Sequence, residues 1–170
     1  MLLSLAGGTA LAQDTPPTQP LARVTALTGC WRGTGAVMGK PVTIVLSVKP
    51  IVDGAMVMVE ADSHATADPA DRYAAHLLFA ARTAKANDPA TISGFWADSF
   101  GGDYTATGLG SPTKDGFEMA YAYPDASFVN RWTLTNQHLE WRIVAKTGSA
   151  PEKAFSAYTL TKAACPPTGG

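Results

Sequence analysis

The chain has 170 residues, 46% of them hydrophobic and only 16% charged, and 13 Lys+Arg against 14 Asp+Glu leave a net charge of −1. This length and composition build one real core and rule out a disordered tail, and the lack of a basic excess argues against a nucleic-acid binder. No apolar run reaches the ~18 residues that span a bilayer as a helix, and 16 Gly with 12 Pro favour short strands and turns over long helices.

Residues 1–12 (MLLSLAGGTALA) are apolar and uncharged and end in Ala10-Leu11-Ala12, the small-x-small pattern of a signal-peptidase site. They read as an export signal peptide that lacks a basic start, as a shortened leader would. The plainer alternative is an N-terminus with no targeting role. Residues 13–20, with the Pro-rich run DTPPTQP, read as a linker. Residues 21–165 read as one barrel domain and 166–170 as a tail, so the expected location is periplasmic or secreted. In 20–28 (PLARVTALT), Leu21, Val24 and Leu27 recur three apart, the spacing of one helical face. A short helix there would plug one end of a barrel.

Cys30 and Cys165 are the only cysteines and flank the body of the chain. In an exported protein such a pair reads as one disulfide. The alternative is two free thiols.

Between them the pattern has period two, broken by turn signals at the spacing of a barrel or sandwich. Strands are predicted over 31–38, 42–49, 55–60, 73–82, 91–98, 104–109, 117–123, 128–135, 138–146 and 154–161. Asp53-Gly54 marks a hairpin, because both residues tolerate positive φ. Phe117, Met119, Tyr121 and Tyr123 share a face, as do Phe128, Asn130, Trp132 and Leu134, and Leu139, Trp141 and Ile143. A turn at Asn136-Gln137 sets Trp132 opposite Trp141. The aromatic face should point inward. Glu118, Arg131, Glu140 and Arg142 should then form a solvated ladder.

The run Gly29-Cys30-Trp31-Arg32-Gly33-Thr34-Gly35 resembles the G-x-W-x-G-x-G opening strand of calycin barrels. It is most similar to nitrobindin-like proteins and to a related exported bacterial lipocalin-like family, with fatty-acid-binding-protein-like barrels as more distant kin. Pro50-Ile51-Val52-Asp53-Gly54, Trp96-Ala97-Asp98-Ser99 and Tyr158-Thr159-Leu160-Thr161-Lys162 also look like that family. The resemblance covers roughly residues 27–162. It implies an all-β, closed, antiparallel up-and-down barrel of about ten strands with an internal pocket for a small apolar molecule. First and last strands would be neighbours, which lets Cys30 meet Cys165, and Gly33 and Gly35 would let the first strand bend at a barrel corner. Nitrobindin-like proteins hold haem through a histidine near the chain's end. Here 154–158 reads AFSAY, so haem is not expected.

Three histidines are present. His64 falls in a predicted polar loop and His138 beside a turn. A turn centred near Ala86 sets His76 opposite Trp96, with Asp98 one step along Trp96's face. That triple is a candidate acid/base or ligand anchor; its alternative is a hydrogen-bonded core histidine. Glu60 is a further candidate partner whose face stays open. The candidate pocket is therefore Trp96, Tyr121, Trp132 and Trp141 as walls, with His76, Asp98 and Asn130 as anchors and Trp31 closing the base. Ligand binding without covalent chemistry is the leading reading. An enzyme using His76 with Asp98 or Glu60 is the second, and a barrel filled by its own side chains the third. No G-x-S-x-G, H-E-x-x-H or C-x-x-C occurs, and no cluster offers the four N/S ligands of a structural zinc site.

Overall fold

The structure, a computed structural model, describes residues 21–82 and 89–166. The expectations for 1–12, 13–20, the turn centred near Ala86 and the last four residues of the tail lie outside it.

Ten antiparallel strands follow one another around a closed barrel, each hydrogen-bonded to its sequence neighbours, with the last paired to the first. They are β1 (Gly29–Val37), β2 (Lys40–Ile51), β3 (Met56–Ala65), β4 (Arg72–Ala81), β5 (Ile92–Asp98), β6 (Ala106–Pro112), β7 (Gly116–Ala122), β8 (Ser127–Thr135), β9 (His138–Lys146) and β10 (Lys153–Ala163). Closure pairs every strand edge. The predicted period-two segments all become strands, with ends shifted by a few residues. The largest change is at β3, which runs on to Ala65 and carries His64 on its outer side instead of in a loop.

One end of the barrel is shut by α1 (Ala22–Thr25) and the turn after it. Val24 and Leu27 are buried there. Trp31 Nε1 donates to the Leu27 carbonyl at 2.7 Å, and Lys162 Nζ lies 4.3 Å from the Trp31 ring centre while donating to the Thr28 carbonyl at 2.5 Å. Trp31 thus closes the base, as its position at the head of β1 leads one to expect. Just outside that turn, Cys30 and Cys165 are joined by a disulfide with Cα atoms 5.1 Å apart. It ties the start of β1 to the segment leaving β10.

Gly33 serves close approach: a Cβ there would fall 2.0 Å from the Thr159 carbonyl oxygen of β10. The β1–β2 turn has Met38 and Gly39 both at positive φ, the pattern that matches strand twist in two-residue hairpins.

Inside, Phe79, Phe117, Trp132 and Trp141 form a run of rings. Phe117 stacks on Trp132 at 5.8 Å and 7°, and Trp132 on Trp141 at 4.3 Å and 14°. Phe79 meets Phe117 and Trp132 edge-on at 5.2 and 6.1 Å. Offset and edge-on pairs are the geometries that ring quadrupoles favour. Outside, Arg131 pairs in register with Arg142. Its guanidinium is held by Glu118 at 2.7 Å and, bidentately, by Glu152 at 2.7 and 2.8 Å. Arg142 reaches Glu140 at 3.0 Å. The aromatic face is inward and the charged ladder outward, as the alternation requires.

Candidate functional site

The end of the barrel opposite α1 is bordered by aromatic side chains. Tyr73 contacts Phe100 at 5.6 Å and Phe100 contacts Tyr104 at 5.8 Å. Across the rim, Tyr123 meets Phe128 at 5.6 Å and Phe128 meets Phe155 at 5.0 Å. The loop after β5 holds this border in place through a 3-10 turn, Gly102–Tyr104, whose Tyr104 carbonyl accepts from the Tyr123 hydroxyl at 2.8 Å.

Exposure of the inner wall falls in steps from this border inward. Tyr73, Asp98, Tyr123 and Phe128 are half-buried. Below them Trp96 is 8% and Tyr158 6% exposed, while Leu77 and Phe79 are 0% exposed. The inner wall thus passes from a half-buried rim to Trp96 and Tyr158, and the ring stack beneath them is shut off from solvent.

Asp98 ties the rim together. Its Oδ2 accepts from Trp96 Nε1 at 2.9 Å and from the Tyr73 hydroxyl at 3.0 Å. Its Oδ1 accepts from the Phe100 backbone N–H at 2.9 Å. Burial first, and then the Asp98 charge, hold the Tyr73 hydroxyl well above its ordinary pKa, so Tyr73 stays a donor at neutral pH. Deeper in, Asn130 is buried and accepts from Trp141 Nε1 at 2.9 Å. Trp96 joins the stack below through Trp141 at 6.0 Å and flanks Tyr121 at 5.6 Å. Tyr121 lies over a wall without side chains: a Cβ on Gly94 would come within 2.7 Å of its hydroxyl oxygen, and one on Gly108 equally close to its ring.

Of the sequence-derived candidates, Trp96, Asp98, Tyr121, Asn130, Trp132 and Trp141 share the interior. His76 does not. Leu77 is paired with Trp96, while His76 is paired with Ala97 and Glu60 and is exposed on the outer face. Glu60 also lies outside, 3.2 Å from Lys49. The acid/base reading built on His76 with Asp98 or Glu60 is thus corrected: strand alternation puts His76 and Glu60 on one side of the sheet and Asp98 on the other. Trp132 and Trp141 sit in the closed ring stack below Trp96 and Tyr158. Tyr73 and Tyr158 were missing from the candidates and belong to the wall. Tyr73 is the inward neighbour of Ala75 and Leu77, and correct parity on β4 would have found it. Among the described residues, no three His, Cys, Asp or Glu side chains gather as a metal site would need.

The class that these observations define is a closed ten-stranded antiparallel β-barrel. Among solved structures the chain is similar to the protein titled "Crystal Structure of Rv2717c from M. tuberculosis", with a TM-score of 0.64 and 14% identity over 85% of this chain and 99% of that one. At that identity the likeness shows the fold. No family model and no curated protein matches the chain.

Proposed function

We propose that the protein is an exported lipocalin-like barrel that takes a small, largely apolar ligand at the aromatic-rimmed end of its interior and performs no covalent chemistry on it. The observation that carries this reading is the stepwise burial of the inner wall from the aromatic rim down to Trp96 and Tyr158. An apolar wall with a few fixed polar groups is what small-molecule sites need, since the wall supplies burial and the polar groups set orientation. Trp96 and Tyr158 supply the floor, Tyr73 and Asp98 the polar side. Export is supported by the Cys30–Cys165 disulfide, because such bonds persist in oxidising compartments.

The test is a titration with N-phenyl-1-naphthylamine, a neutral apolar fluorophore. The parent protein is expected to give a saturable enhancement. Trp96→Ala, folded by circular dichroism, is expected to bind about tenfold more weakly, the loss of roughly one aromatic contact surface. No saturable enhancement in the parent, or equal affinity in the variant, overturns the reading.

A further inference from the structure

The outer face of the barrel is charged over β8 and β9, where Arg131, Glu140, Arg142 and Lys146 point to water, as strand alternation on a solvated sheet leads one to expect. Over β4–β7 the outer face is different. One outward row, set by the strand register, reads Ala80, Ser93, Leu109 and Ala120. The row beside it, toward the rim, reads Leu78, Phe95 and Thr107, and Ala122 continues it on β7. None of these side chains is charged. Leu109 is 56% and Phe95 37% exposed, on neighbouring strands at the middle of the band. Single exposed apolar residues are ordinary, whereas adjoining uncharged rows mark an interaction site. The alanines point the same way. Alanine is a poor strand former, and what it offers on an outward position is a low shelf on which another surface can lie.

The band is complementary to itself. A twofold axis along the strands, between β5 and β6, sets β5 of one copy over β6 of the other, and β4 over β7. Phe95 then faces Thr107 of the second copy, Leu109 faces Ser93, Leu78 faces Ala122 and Ala80 faces Ala120, so a large side chain never meets a large one. One row toward the base, Arg82 is exposed just past β4, its N–H bonded to the Thr91 carbonyl at 3.0 Å. The same operation sets it opposite Glu118 of β7, whose bond to Arg131 uses Oε2. Opposite charges thus meet at the edge on both sides of the axis, as polar rims do around an apolar centre. Four strands about 4.8 Å apart and three rows about 7 Å apart give roughly 400 Å² of sheet plane per copy. That is the low end for specific interfaces, so the association is reversible.

We infer that the outer face of β4–β7 is a self-association surface, on which a second copy of this chain packs about a twofold axis to form a closed, reversible dimer. The surface lies outside the barrel wall, so the inference stands apart from the ligand-binding reading above.

Sedimentation equilibrium tests it, on the disulfide-bonded protein from about 1 μM to about 500 μM, the span in which a small interface dissociates. The mass of the parent is expected to rise from one chain toward two and to level there. Leu109→Asp, folded by circular dichroism, is expected to raise Kd about a hundredfold or more, because a twofold interface counts the substitution twice at about tenfold each. Arg82→Glu is expected to raise it about three- to tenfold, the scale of two exposed ion pairs turned repulsive. Val45 is also 37% exposed but lies on β2, outside the band, and Val45→Asp is expected to keep the parent's Kd. A parent that stays monomeric throughout overturns the inference and leaves the band to a different protein. Dimers of Leu109→Asp or Arg82→Glu as tight as the parent's overturn it, as does loss of the dimer in Val45→Asp. Growth past two chains also overturns it, since a twofold contact closes on itself.

Discussion

Trp132 and Trp141 face each other across the β8–β9 ladder with ring centres 4.3 Å apart and planes 14° from parallel. Their edges differ: Trp141 Nε1 is bonded to Asn130, and Trp132 Nε1 has no partner. The pair therefore combines close ring stacking with one buried indole N–H that has no protein partner. Trp132→Ala is expected to cost about 3–5 kcal/mol of stability, as removal of a large buried aromatic does. Urea unfolding followed by circular dichroism checks this. A loss under about 1 kcal/mol would mean that the stack is not the core.

Alkaline pH should weaken the fold through its tyrosines. Burial raises the pKa of Tyr73, Tyr121, Tyr123 and Tyr158 above the ordinary value of 10.0. For such groups the folded state holds its proton longer than the unfolded state. Their stabilisation is complete below about pH 10 and is lost as pH rises above that value through the folded pKa. Absorbance at 295 nm should show these phenols ionising above the range of free tyrosine. Unfolding midpoints should decline above about pH 10. Midpoints unchanged to pH 12 would contradict the burial of these hydroxyls.

The β2–β3 turn stores strain. Val52 and Asp53 both take φ near +50°, and Val52 is exposed. Left-handed backbone costs a non-glycine residue roughly 1–2 kcal/mol, and a β-branched one has no local hydrogen bond to offset it. Val52→Asn is expected to raise stability by about 1 kcal/mol. Thermal denaturation reads it, and a lowered midpoint would refute the strain.

The Cys30–Cys165 bond closes a loop of 135 residues. In the chain-entropy treatment its removal costs about 3–5 kcal/mol. The double variant Cys30→Ser/Cys165→Ser should unfold at correspondingly lower denaturant, and the parent, denatured without reductant, should show no free thiol. Two free thiols would contradict the bond.

Most of the fold was legible because β7, β8 and β9 alternate sharply: rings on one side, Glu118, Arg131, Glu140 and Arg142 on the other. That contrast fixed both faces and the Trp132–Trp141 register. On β4 the contrast is missing. Its two faces read Tyr73, Ala75, Leu77, Phe79 and Ala74, His76, Leu78, Ala80, and both are largely apolar. A one-residue slip in the pairing of β4 with β5 is enough to exchange them, and it drew His76 inward and hid Tyr73. Asp98 was placed correctly because it shares a strand and a parity with Trp96. Glu152 was not legible, since it reaches Arg131 from the loop before β10, across 21 positions of sequence.

Ligand entry at the rim is tested most directly by residue-resolved amide chemical shifts during titration with N-phenyl-1-naphthylamine. The expected result is saturable shifts centred on Tyr73, Trp96, Asp98 and Tyr158, with His76 and Glu60 on the outer face unmoved. Shifts centred on the outer face, or none at saturating probe, would contradict it.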